Sequence, residues 1–184
     1  MHCREKVIIP INKPCIFLEG AGRNSTSVQW DDHGTAHHTA TFDVTGNDTI
    51  VKDITFEVLN TTRVQDTLFD SYGRHYYQNC YIQGHTDFIF GEGQSIFEDC
   101  QIYFTCGNRR PRRDGCITAN ERRSADAPGG FVFKNCNING TRAKTQLGRA
   151  LVSGNPRVII ANSFLADVIR PEGWGEVQRF VGHE

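Results

Sequence analysis

The chain has 184 residues, a formal net charge of −1 and a hydrophobic share of 38%. That is long enough for one domain with its own core, the charge balance gives no basis for binding nucleic acid, and no apolar run approaches the roughly 20 residues that span a bilayer. Eighteen glycines and the scarcity of long helical periodicity favour a turn-rich, all-β protein.

Met1 is followed by His-Cys-Arg-Glu-Lys, a charged run and not an apolar leader, so no signal sequence is expected at this start. Residues 28 to 41, VQWDDHGTAHHTAT, read as a polar loop. His33, His37 and His38 lie in it, but their spacing matches no standard metal-ligand pattern, and a solvated loop is the expectation. Two strands follow between Thr39 and Phe56, TATFDV and TIVKDITFE, around the turn Gly46-Asn47-Asp48. The stretch from Gln65 to Gly91, QDTLFDSYGRHYYQNCYIQGHTDFIFG, is rich in β-forming residues and holds Asp66 and Asp87. Residues 125 to 130, with Pro128 and two glycines, form a further loop, and residues 167 to 184 are expected to run as a tail along the molecule.

A short unit recurs through this order. Tyr77-Gln-Asn-Cys80-Tyr-Ile82 is repeated as Phe97-Glu-Asp-Cys100-Gln-Ile102 and Phe133-Lys-Asn-Cys136-Asn-Ile138, with looser copies at Val51-Lys-Asp-Ile54-Thr-Phe56 and Ile160-Ala-Asn-Ser163-Phe-Leu165. Each reads as strand, bend, strand: the Asn or Asp tolerates a left-handed backbone, and the apolar positions on either side point to a common interior. Recurrence every 20 to 36 residues is the signature of a solenoid, each repeat burying its apolar face against its neighbours. The expected fold is a single-stranded, right-handed parallel β-helix. Of the seven cysteines, Cys80, Cys100 and Cys136 hold equivalent positions, so an internal stack of buried thiols is expected in preference to disulfides or metal ligands. Four N-x-S/T sequons, at Asn24, Asn47, Asn60 and Asn139, fit a glycosylated, secretory protein.

In a β-solenoid, residues one coil apart lie on adjacent parallel strands roughly 4.8 Å apart. Asp66 and Asp87, 21 residues apart, are then neighbours. Two carboxylates that close are not both readily ionised, and their pKa values split into one acid and one base or nucleophile. The alternative is that both are turn or cap residues on the solenoid surface.

QDTLF, GRHYYQNCYIQGHTDFIFG, ITANERR, LGRA and PEGW, in this order, resemble the motifs of the plant-type pectin methylesterases, YQDTL, GRQFY-x-x-C-x-I-x-G-x-VDFIFG, ITAQGR, LGRPW and P-x-GW. HCREKVIIP and PCIFLEGAG resemble that family's G-x-Y-x-EKV and the glycine-terminated strand after it, so the resemblance covers nearly the whole chain. It implies one pectinesterase-like domain over residues 1 to 184, with Met1 falling inside the first motif and the N-terminal end of the domain therefore incomplete. It further implies a metal-free, cofactor-free aspartyl esterase of the cell wall, monomeric, acting on methyl-esterified homogalacturonan. No nucleic acid or membrane is implied as a partner, and a proteinaceous pectinesterase inhibitor is.

The resemblance assigns roles by position. Asp87 corresponds to the nucleophile, Asp66 to the general acid and then base, Gln65 to a donor for the oxyanion, and Arg149 to the arginine that holds the nucleophile ionised. Phe88 and Phe90 are either candidates for a sugar-stacking face or, one or both, core residues, and Asn120 stands where the family has a substrate-contacting glutamine. Leu151 replaces an aromatic platform, and between Asn60 and Gln65 about one coil of solenoid is absent, with a second oxyanion glutamine. The run Arg109-Arg110-Pro111-Arg112-Arg113 is either an attractor for de-esterified, polyanionic pectin or a solvated loop. Two functional readings stand. The first is an active pectin methylesterase releasing methanol; the second is a truncated, inactive relative that at most binds pectin. A calcium-dependent polysaccharide lyase on the same solenoid would need an acidic cluster that these motifs do not supply.

Overall fold

The computed structural model describes residues 2–30, 39–58, 66–106, 115–141, 143–150 and 154–175. Within them the chain climbs in coils of three short strands. The first coil has β1 (His2–Arg4), β2 (Val7–Ile9) and β3 (Phe17–Glu19); the second β4 (Ser27–Trp30), β5 (Phe42–Val44) and β6 (Thr49–Lys52); the third β7 (Thr55–Val58), β8 (Leu68–Asp70) and β9 (Arg74–Gln78). The fourth has β10 (Tyr81–Gly84), β11 (Thr86–Gly91) and β12 (Gln94–Glu98); the fifth β13 (Gln101–Phe104), β14 (Gly115–Asn120) and β15 (Gly130–Lys134); the sixth β16 (Asn137–Gly140), β17 (Thr145–Gly148) and β18 (Val158–Ala161), before β19 (Phe164–Leu165). Corresponding strands of successive coils pair in parallel to give three sheets, in the orders β1-β4-β7-β10-β13-β16-β19, β2-β5-β8-β11-β14-β17 and β3-β6-β9-β12-β15-β18. This is the expected parallel β-helix.

The repeat unit explains the coil. Its Asn or Asp takes the left-handed backbone at every turn, with φ of 59° at Asp53, 51° at Asn79, 55° at Asp99, 55° at Asn135 and 48° at Asn162. Its first position stacks inside the solenoid: the rings of Tyr77 and Phe97 lie 4.6 Å apart at 6°, those of Phe97 and Phe133 4.6 Å apart at 9°. The small fourth position follows the same ladder. Cys80 Sγ donates to the carbonyl of Val51 at 3.7 Å, Cys100 Sγ to Tyr77 at 3.5 Å, Cys136 Sγ to Phe97 at 3.3 Å and Ser163 Oγ to Phe133 at 3.4 Å, each reaching the coil below. A thiol or hydroxyl is small enough to stand in the stack and polar enough to serve that carbonyl. All seven cysteines are free.

The registers of β5 with β8, β8 with β11 and β7 with β10 run on without interruption on either side of residues 59–65. A solenoid whose repeats contact only their neighbours can lose a whole coil and still close its sheets.

A polar cluster around Asp70 lies within this stack. Asp70, fully buried, accepts from the Tyr77 hydroxyl at 3.0 Å and from Ser95 Oγ at 2.7 Å, and its Oδ1 lies 2.9 Å from His75 Nδ1. The other ring nitrogen of His75 lies 3.1 Å from the carbonyl of Gly46. Both nitrogens thus face acceptors, which is satisfied when both carry protons. Burial alone would push the imidazole pKa down, but the charge and hydrogen bond of Asp70, aided by the Gly46 carbonyl, outweigh it and hold the pKa above the ordinary value. A group whose pKa is higher folded than unfolded stabilises fully below its unfolded value and loses that contribution as pH rises through the folded one. The unfolding midpoint is therefore expected to fall as the pH is raised from about 6.5 upward, and His75→Gln is expected to flatten that dependence. Thermal denaturation followed by circular dichroism across this range checks it.

Candidate active site

The sheet β2-β5-β8-β11-β14-β17 carries the residues of interest. Ile89 pairs with Leu68 and Phe90 with Phe69, and Asp87 and Asp66 each stand two residues ahead of that first pair on consecutive coils. The spacing of one coil thus puts the two aspartates on consecutive coils at the same sheet. Both have left-handed backbone, φ 60° at Asp66 and 50° at Asp87, a conformation that Asp tolerates and most side chains do not. At Asp87 the cause is visible in the pairing with the next strand, whose register shifts between Thr86 and Ile89. The resulting bulge re-aims one side chain.

That side chain meets Arg149, which follows β17. Arg149 Nε donates to Asp87 Oδ1 at 2.8 Å, and a terminal nitrogen of the guanidinium donates to Oδ2. The fork holds both carboxylate oxygens in one plane, and the two side chains are only 12% and 21% exposed. The bond to Asp87 raises the guanidinium pKa further, against the opposing effect of burial. Beneath the pair lies Cys116. Burial first, with the Asp87 charge added and Arg149 opposing, pushes its thiol to about 12, so it remains protonated near neutral pH and does not compete as a nucleophile.

The bulge also sorts the phenylalanines. Phe88 is fully buried in the solenoid core, so the expectation that it binds substrate is corrected. Phe90 points to the outer face but is 2% exposed, in a small cluster with Ala40 and Ala119, and it stacks on the more open ring of Phe69 at 4.6 Å and 14°. Phe69, which sequence reasoning did not single out, is the aromatic nearer solvent. Asn120 is corrected as well. It is 2% exposed, its amide donates to the Gly91 carbonyl at 3.1 Å and its oxygen accepts from the Arg157 backbone at 2.9 Å, so the side chain ties coils together and does not reach outward. Gln65, Leu151, the three histidines of the early loop and the run from Arg109 to Arg113 lie outside the described residues.

Trp174 is the residue whose place the sequence did not reveal. The PEGW segment returns to the site and Trp174 forms a parallel bridge with Gly148. Its indole is 46% exposed and, with Arg149, Ala150, Pro156 and Val158, lines an open pocket of about 270 Å³. Gly148 permits this approach: a Cβ there would stand 2.3 Å from Thr118 Oγ1 and 3.0 Å from the indole ring. A carboxylate clamped by Arg149, a second aspartate on the preceding coil and an exposed Trp174 in the pocket that Arg149 lines suit covalent attack on an electrophilic carbon of a ring-shaped substrate.

Comparison with known proteins identifies the family. Residues 57–182 match the family model described as Pectinesterase. Probable pectinesterase 29 of Arabidopsis thaliana is 40% identical over 213 aligned positions, covering 98% of this chain and 63% of the relative. The chain thus spans less than two thirds of that relative's length. Because the match is longer than the chain, part of the difference lies inside it, on the scale of one coil. Among solved structures, pectin methylesterase from carrot superposes with a TM-score of 0.79 at 26% identity, covering 96% of this chain and 65% of that one. A pectin methylesterase solved in complex with hexasaccharide VII shares the fold, with a TM-score of 0.71 at 17% identity over 96% of this chain and 77% of that one.

Proposed function

We propose, from the premise that this chain belongs to the pectinesterase family, that it hydrolyses the methyl esters of homogalacturonan in the cell wall to pectate and methanol. The observation that carries the reading is the Asp87 carboxylate held at a strand bulge by both arms of Arg149, with Asp66 on the preceding coil. An oxygen of Asp87 attacks the ester carbonyl carbon. The tetrahedral adduct collapses with cleavage of the bond to the methoxyl oxygen, which takes the proton of Asp66 and leaves as methanol, and an acyl anhydride with Asp87 remains. Water then attacks the galacturonyl carbon of that anhydride, giving one proton to the Asp66 carboxylate, and Asp87 leaves as carboxylate. The site returns to its starting protonation, and the net reaction consumes one water per ester. Trp174 and Phe69 supply the aromatic faces on which sugar rings pack, in place of the platform absent at Leu151.

Methanol release from highly methylated pectin by the purified chain, with circular dichroism on the same sample, tests this. A folded chain that releases none would overturn it in favour of a solenoid that only binds pectin. Arg149→Lys is expected to keep the charge but lose the two-point grip, lowering kcat about 10²-fold with KM little changed. Equal loss in KM would make Arg149 a substrate-binding group instead.

A further inference from the structure

Three of the four N-x-S/T sequons fall on described residues, and the fold treats their asparagines differently. Asn47 is committed to the solenoid. Its Nδ2 donates to Asp48 Oδ2 at 2.9 Å and its Oδ1 accepts from the Arg74 backbone at 2.9 Å, so the amide bolts one turn to the next. Asn24 stands exposed on a turn closed by the bonds of Ser25 and Thr26 to the Gly22 carbonyl. Asn139, on β16, is placed differently from both. Its Oδ1 accepts from the Gly140 backbone at 2.6 Å, which fixes the amide plane and turns Nδ2 away from its own chain. Among the described residues Nδ2 has no partner.

The side chain of Asn139 lines an open cavity of about 590 Å³, together with Thr141, Lys144, Phe164 and Asp167. Phe164, on β19, pairs with Asn137, which lies two residues before Asn139 on the same face of its strand. Ring and amide are therefore diagonal neighbours, and the ring is 61% exposed. Lys144 Nζ donates to the Asp167 carbonyl and gives the cavity a polar rim. We propose that Asn139 carries an N-linked glycan whose first N-acetylglucosamine packs on Phe164 in this cavity. In its formation Nδ2 bonds to the anomeric carbon of an oligosaccharide carried on a lipid diphosphate. The diphosphate leaves with the electron pair of the broken C–O bond, and Nδ2 gives up one proton.

The cavity suits that sugar on both of its sides. One face of the pyranose presents C–H groups, which the negative face of an aromatic ring attracts, and its edges present hydroxyl and acetamido groups for the polar rim. The contact alone is weak. Tethered through Asn139 it becomes intramolecular, with an effective concentration high enough to keep it formed. The gain is the removal of an exposed phenylalanine from water. Phe164 lies on the last strand of its sheet among the described residues, so the sugar would also shield an open edge from pairing with other chains.

The test expresses the whole chain behind an added secretion leader in cultured plant cells, with Asn139→Gln, Phe164→Ala and the double variant alongside. Mass spectrometry of intact glycopeptides reads the occupancy of Asn139, and circular dichroism reads the unfolding midpoint. Asn139 is expected to be occupied, and the parent to unfold about 3 °C above Asn139→Gln. That difference is expected to vanish when both chains carry Phe164→Ala, because the sugar then has nothing to pack on. Should Asn139→Gln fail to fold, amidase removal of the glycan from the folded parent gives the same comparison. An unmodified Asn139 in the secreted chain overturns the inference, and so does a midpoint difference that persists without Phe164. Neither outcome touches the esterase reading, because methanol release is expected to be equal in the parent and Asn139→Gln. A docked glycan on a folded chain that releases no methanol upholds this inference while the esterase reading falls.

Discussion

Asp87→Asn is expected to lower methanol release by on the order of 10⁴ or more while leaving the chain folded and able to bind pectin. The amide keeps the volume and planarity of the carboxyl but has no charge with which to attack a carbonyl. The position itself makes the substitution benign for folding, because the backbone there is left-handed, at φ 50°, and Asn tolerates that conformation as Asp does. Arg149 loses its ion pair but can still donate to the amide oxygen, and both side chains keep some access to water, at 12% and 21% exposure, which softens the cost. Binding should persist because the aromatic faces of Trp174 and Phe69 are untouched. Retained turnover would remove Asp87 from its role and with it the covalent mechanism.

Asp70→Ala is expected to cost about 3–5 kcal/mol, a large part of the 5–15 kcal/mol that holds a typical domain together. Asp70 serves His75, Tyr77 and Ser95 at once, all deep in the stack, so truncation leaves three donors without an acceptor and an imidazolium without its counterion. Equilibrium denaturation in urea, comparing midpoints at equal slope, measures the loss. Gly93→Ala probes the same group from outside, since a Cβ at Gly93 would fall 1.6 Å from Asp70 Oδ1. A loss below about 1 kcal/mol for Asp70→Ala would mean that water replaces the carboxylate, and that the network is not the buried charge pair that the geometry implies.

The coils were legible because the signal is local. An Asn or Asp bend, a small stacking residue and an aliphatic residue recur within six positions, and the structure places them in the left-handed turns, the thiol ladder and the interior rows that the unit predicts. That Asp66 and Asp87 fall on consecutive coils was legible for the same reason: in a parallel solenoid, one coil of sequence is one step along the sheet. Arg149, two strands further along the sheet, came from the family motif and not from periodicity. The intervals between repeats differ, and no period carries a residue across coils of unequal length.

The sequence by itself determined that the chain winds into a parallel β-helix, which positions of the repeat unit face its interior, and that the two aspartates fall on consecutive coils, because each of these depends on spacing within or between adjacent repeats. Tertiary structure alone decided the rest. The register shift at Asp87 turned Phe88 inward and Phe90 outward, which simple alternation along DFIF does not foresee. Pairing with Gly91 and the Arg157 backbone drew the Asn120 amide into the wall. The return of PEGW set Trp174 beside Arg149, and Thr39 reached Asp66 from the coil below. These contacts depend on where bulges and loop excursions let distant segments meet, and a pattern of apolar residues carries no record of that.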